Sequence, residues 1–134
     1  MTLRHHLHPR PRRGRGERGA AGSVQLVIIM PLLMGLFLAA MQAAMYYYGR
    51  SAAISIAQTG AAAAAAEHGT PADCRAAAAT LQEAVGDAIT EVQITCTRTA
   101  TRASATVSGQ ALSVFPGWRS PVVQQAEAPV ERPT

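Results

Sequence analysis

The sequence has no lysine, one tryptophan, two phenylalanines, three tyrosines and only two cysteines in 134 residues. Aromatic side chains make up 4% of the chain, and alanine fills much of the remainder, so a large core around a deep pocket is not expected. No Ser/His/Asp or Cys/His set, glycine-rich phosphate loop or paired-carboxylate motif can be assembled from the residues present. The chain therefore reads as a non-enzyme with no cofactor, no metal site and no small-molecule substrate. His5, His6 and His8 read as part of a polar arm, and His68 stands alone. Glu83, Asp87 and Glu91, spaced by four, read as a solvated helix face.

Charge is the most informative absence. No charged residue occurs between Arg18 and Arg50. Inside that gap, Val24–Tyr48 (VQLVIIMPLLMGLFLAAMQAAMYYY) is apolar on every side rather than along one stripe. A helix needs about 20 residues to cross the hydrocarbon core of a bilayer, and this run exceeds that. Gln25 and Gln42 lie toward its two ends, where a polar group costs least. Tyr46, Tyr47 and Tyr48 form an aromatic belt at the far boundary. Pro31 sits within the run, where a bend is tolerated in lipid.

The chain carries a net charge of +4, unevenly placed. Arg4, Arg10, Arg12, Arg13, Arg15 and Arg18 face only Glu17 in the first 18 residues, while the other six arginines face seven acids. A basic arm can bind nucleic acid. Beside a membrane span it more simply sets topology, with the arginines held in the cytoplasm, so no nucleic-acid partner is expected. The competing reading is a removable secretory signal cut near Ala43 or Ala44, although the apolar run is longer than the usual signal core.

Helical character continues past the tyrosines. Arg50–Glu67 has no proline and is dominated by alanine, the best helix former. Gly49, Ala53, Ala57, Ala61 and Ala65 recur every four residues, so they share one face. Such a stripe admits a second backbone at close range, which points to a helix–helix assembly face. It is also what any alanine-rich stretch produces. A helix over Val24–Ala66 would be about 65 Å long at 1.5 Å per residue, with the outer part as a stalk that Gly69 ends as a C-cap. A second helix is predicted over Ala72–Ala88. Thr70 is its N-cap, Pro71 takes the first helical position and Asp73 lies at the positive end.

The period then drops to two. Glu91–Arg98 places Val92, Ile94 and Cys96 on one face, and Arg102–Gln110 does the same with Ala103, Ala105 and Val107. Thr99–Thr101 joins them as a hairpin connection. Val122 and Val123 suggest a third, edge strand, and Pro116-Gly117 ends the loop before it. Cys74 and Cys96 are expected to form one disulfide, the simplest use of two cysteines in a small domain outside a membrane. The expected class is α+β, with residues 1–18 a basic cytoplasmic arm and 19–48 a transmembrane helix. Residues 49–69 form a helical stalk, 70–126 a small extracytoplasmic domain with a second helix and a two- to three-stranded antiparallel sheet, and 127–134 a flexible tail.

The segment Arg18-Gly19-Ala20-Ala21-Gly22-Ser23-Val24-Gln25-Leu26-Val27, followed by the apolar span with its early proline, the tyrosines and the AQTGA stretch, resembles the TadE-like pilus-assembly proteins. These are minor pilins or pseudopilins of the tight-adherence (Flp) branch of type IV pilus systems. The C-terminal part, with Val114-Phe115-Pro116-Gly117 and Pro129-Val130-Glu131-Arg132, looks like actinobacterial members. The resemblance implies a single-pass protein of the cell membrane with its amino terminus in the cytoplasm. It also implies a type IV pilin-like fold and packing with other pilin subunits and the Tad inner-membrane assembly machinery. Cleavage by a prepilin peptidase before the apolar run is implied as well, with Gly19 and Gly22 as candidate glycines. Gln25 stands nearest to where the family often carries a glutamate, and neither glycine gives the usual offset to it. The alternative function is a secreted or membrane-anchored binding module with no role in a pilus.

Overall fold

The computed structural model describes residues 17–132, with side chains from Gly22 onward. Arg10, Arg12, Arg13 and Arg15, assigned above to topology, lie outside the described residues, as do His5, His6 and His8. The chain divides into two units, Met1–Leu36 and Phe37–Thr134.

In the first unit, every described residue belongs to helix α1 (Glu17–Ala65). Val24, Leu26, Val27, Ile28, Leu32 and Leu36 are all exposed, and no charge lies among them to favour water. Among the described residues this is the one helix long and apolar enough to cross a membrane. Pro31 lies inside it, where the missing N–H removes one rung of the helical ladder. Gly22 and Gly35 face open space, so their lack of a side chain serves no close contact within the chain.

The second unit contains the rest of α1, helix α2 (Pro71–Val85) and three strands, β1 (Ile89–Arg98), β2 (Arg102–Ala111) and β3 (Ser120–Pro129). It is an α+β arrangement, as the change of sequence period predicts. The strands form an antiparallel meander in the order β1-β2-β3. Ala103, Ala105 and Val107 of β2 point inward and are fully buried. Val107 meets Ala53, Ile56 and Ala57 from α1, Ala78 from α2 and Val122 from β3 in one cluster, while Ala103 and Ala105 meet Ala61, Ala64 and Ala65 from α1 and Cys74 from α2 in a second. The opposite face carries Thr95, Thr97, Thr106 and Gln125, a polar surface suited to water. Helices thus cover one face of the sheet only.

Helix α2 starts where expected. Thr70 is extended and accepts a hydrogen bond from the Asp73 N–H at 3.2 Å, while the Asp73 carboxylate accepts from the Thr70 N–H at 2.8 Å. This reciprocal box satisfies donors that a helix start otherwise leaves open. The helix ends at Val85, three residues short of the expected Ala88, because Gly86 turns to φ 60 and a short 3₁₀ turn follows. Consequently Glu83, Asp87 and Glu91 do not share a helix face: they fall on α2, the turn and β1. Strand β1 begins at Ile89, two residues before the expected start, and is irregular between Thr90 and Gln93. There Glu91 adopts φ 52, a conformation uncommon outside glycine, and the extra residue is a bulge.

Three boundaries differ from the expected layout. Residues 49–65 are not a projecting stalk, because their small-residue face is buried against the sheet. Gly69 does not cap α1 with a left-handed backbone. Its N–H reaches the Ala66 carbonyl at 2.9 Å, and an added Cβ would fall on the Ala63 and Ala64 carbonyl oxygens. Strand β3 is the third, edge strand but continues through Glu127, Ala128 and Pro129, residues placed above in a tail. Beyond it, the Val130 and Glu131 N–H groups donate to Thr101 and Ala65 at 3.0 Å each. Alternation explains the extension: Val122, Ala126 and Ala128 pack inward, although alanine gives a weak strand signal.

Candidate functional site

The stripe of small residues organises the second unit. Gly49, Ala53, Ala57, Ala61 and Ala65 are all buried, the four alanines between 0% and 5% exposed. An added Cβ on Gly49 would lie 2.7 Å from the Ala111 Cβ and 3.0 Å from the Ala88 carbonyl oxygen. Gly60, on the adjacent turn, faces the Cys74 Sγ at 3.0 Å and the Ala105 Cβ at 3.4 Å by the same construction. The backbone that approaches is therefore the chain's own sheet and α2. The stripe read above as a helix–helix assembly face is occupied from within, because small residues encode a close approach without encoding the approaching partner.

Two connections hold this seam. Cys74 at the start of α2 is bonded to Cys96 on β1, with Cα atoms 6.2 Å apart and a sequence separation of 22. Closing a loop of that size contributes about 3 kcal/mol in the chain-entropy view. Arg98, at the end of β1, directs Nη1 at the carbonyls of Ala64, Ala66 and Gly69, the Ala66 distance being 2.9 Å. The last carbonyls of a helix lack internal partners and carry partial negative charge, so a guanidinium placed there satisfies both needs.

A third feature lies at the other end of the seam. Gln42 is the polar residue inside the apolar stretch nearest the domain, and its side chain is half-buried. Its Oε1 accepts a hydrogen bond from the Val114 N–H at 2.8 Å and lies 3.1 Å from the Ser113 hydroxyl. Its Nε2 donates to the buried Ser120 hydroxyl at 3.4 Å. The amide thus brackets both ends of the connection between β2 and β3. That connection carries Phe115, Trp118 and Arg119, all exposed, and with Tyr46 and Tyr47 of α1 it lines an open groove of about 690 Å³. The Tyr46 and Tyr47 rings meet edge to face at 5.9 Å.

The expected residues therefore divide into separate groups. Cys74 and Cys96 come together with the stripe. Gly22 and Gln25 lie exposed in the first unit, Gly19 is helical backbone, and Arg18 is in the same first turns of α1. Arg98 and the Phe115–Arg119 loop have no role in the pattern of the sequence alone, where Gln42 stands only as a polar group tolerable near the end of a span. The available signals were an amide inside an apolar run and a sole tryptophan beside Pro-Gly.

Among the described residues, Asp73 is the titratable group whose environment clearly departs from ordinary. The Thr70 hydroxyl, then the Thr70 N–H, hold its carboxyl below the usual 3.8. Such bonds favour the ionised form.

No curated protein and no solved structure matches the chain. The family model that does match covers α1 from within its first turns to its end, and leaves α2 and the sheet outside the match. That family is the TadE-like proteins, matched over residues 20–66, and across this helix the chain is similar to them.

Proposed function

We propose that this chain is a minor pilin-like subunit, a pseudopilin, that takes part in assembling a Tad/Flp-type surface pilus. One observation carries the reading. The TadE-like stretch is a single helix, apolar and exposed over its first half, while its second half seats a small cystine-bonded head. The first half is the membrane span, and the arginine-rich arm holds its leading end in the cytoplasm. The head then lies outside, where a disulfide persists.

Assembly proceeds by helix packing, but not through the Gly49–Ala65 stripe, which the sheet already fills. The surface left for neighbouring subunits is the exposed apolar part of α1, from Val24 to Met41. Other pilin subunits and the inner-membrane assembly machinery are the partners. Gly19 and Gly22 are the candidate sites of a prepilin peptidase, with Gln25 following in place of a glutamate.

Deletion of the gene tests the role. Surface filaments released by shearing should fall and return when the full chain is restored; unchanged filaments would refute it. N-terminal sequencing of the membrane-bound protein distinguishes the routes of export. A start just after Gly19 or Gly22 indicates pilin-type processing, whereas a start near Ala44 or Ala61 indicates ordinary secretion of a binding module.

A further inference from the structure

The exposed large apolar side chains outside α1 are not scattered. Among the described residues they are Leu112, Phe115, Trp118 and Val123, and the first three belong to the one connection between β2 and β3. Trp118 is 64% exposed and Phe115 43% exposed, side chains that a small water-facing head would ordinarily bury. Gln42 holds this connection beside α1 through the Val114 N–H and the Ser113 and Ser120 hydroxyls. The facing wall is Ala39, Ala43, Tyr46 and Tyr47, so both walls of the groove are apolar with polar-tipped aromatic rings.

We propose that the Leu112–Arg119 loop is a lipid-docking surface, with Phe115 and Trp118 seated in the headgroup layer of the bilayer. This rests on the reading of α1 as a membrane span. Counted from Val24, the about 20 residues needed to cross the hydrocarbon end near Ala43. The loop is fixed to that rung of the helix, where the hydrocarbon gives way to headgroups. Trp and Tyr favour this layer because an apolar ring and a polar tip are satisfied together. Arg119, beside Trp118 on the groove wall, is placed to meet lipid phosphate. The bracket also removes the Gln42 amide from lipid by giving its oxygen and nitrogen partners in the head. Lipid is favoured over a second protein copy because exposed Tyr46 and Tyr47 on the helix wall of the groove lie beyond Met41, past the stretch left to neighbouring subunits and at the level of the headgroups.

Trp118 is the only tryptophan, so its fluorescence reports the loop alone. The full chain is reconstituted in vesicles of phosphatidylethanolamine and phosphatidylglycerol, and flotation establishes whether it is membrane-embedded. Lipids brominated near the headgroup end of the acyl chain, or near its far end, are then included. The expected result is co-flotation, a blue-shifted Trp118 emission, and loss of most of that emission with the shallow bromines but much less with the deep ones. Releasing the loop with Gln42→Ala should reduce the quenching without loss of flotation. Co-flotation with a water-like, unquenched emission overturns the inference while leaving the span intact. A blue-shifted emission that neither lipid quenches means that protein covers the loop, and also overturns it. Failure to float overturns the span reading itself, and the inference with it.

Discussion

Replacement of Gly49 by alanine sets two effects of opposite sign against each other. Within a helix, glycine costs about 0.5–1 kcal/mol relative to alanine, so the substitution would stabilise an unconfined position. At Gly49 the new methyl would lie 2.7 Å from the Ala111 Cβ, 3.0 Å from the Ala88 carbonyl oxygen and 3.2 Å from the Ala111 Cα. None of these atoms ends a flexible side chain that can swing away, so helix and sheet must separate. Overpacking of this kind costs about 1–3 kcal/mol. The steric effect wins, leaving a net loss of about 1–2 kcal/mol, or about 4–15 °C in melting temperature for a domain of this size. Gly60→Ala is the internal comparison. Its methyl would meet the Cys74 Sγ at 3.0 Å and next the Cys74 carbonyl at 3.3 Å, a milder crowding that the helix-propensity gain nearly offsets. Thermal unfolding of the full chain in detergent micelles, followed by circular dichroism, reads both variants. A Gly49→Ala protein that melts at or above the parent would refute the packed seam.

Arg98→Met should destabilise the domain by about 1.5–3 kcal/mol, because the carbonyls at the end of α1 lose a charged donor; denaturant titration measures it. Reduction of the Cys74–Cys96 bond should cost about 3 kcal/mol, and thiol-reactive reagents should label neither cysteine until reductant is added. Asp73 carries a lowered carboxyl pKa, so its contribution is complete above the ordinary 3.8 and is lost as pH falls through the lower folded value. The difference in melting temperature between the parent and Asp73→Asn should therefore shrink on acidification and stay flat near neutral pH. Gln42→Leu should cost about 1–3 kcal/mol by leaving the Val114 N–H without its partner, detectable as faster proteolysis between β2 and β3.

The parts of the fold readable in the sequence are those set by short-range rules. The charge-free run announces a long apolar helix, and Thr70-Pro71-Ala72-Asp73 announces the start of α2. Alternation at Ala103, Ala105 and Val107 announces a strand with its inward face. What escapes is set by distant partners. Nothing near Gly49 or Ala57 tells that the approaching surface is a sheet from the same chain. Arg98 looks like an ordinary end-of-strand charge until α1 brings its carbonyls alongside. The bulge at Glu91 leaves no local mark, since glutamate is not a residue that favours positive φ. The length of β3 is muted because Ala126 and Ala128 do the inward packing while Pro121 and Pro129 resemble breakers; both prolines are tolerated on an edge strand. For the candidate site, the tyrosines and the sole tryptophan are visible, but their meeting depends on a Gln42 bracket spanning more than 70 residues.

The interior of the second unit is mostly alanine: of the 16 buried apolar residues among those described, 11 are alanine, so few side chains bring appreciable hydrophobic bulk. Methyl groups contribute little apiece, and their merit is to let main chains lie almost touching. Any soluble fragment of the head must therefore keep residues 49–65, since cutting at Thr70 would remove α1 from the inner sheet face and leave α2 alone to cover it. Register is fixed by the same economy of space, because sliding the helix one residue along the sheet would bring Arg50 to where only a hydrogen atom fits.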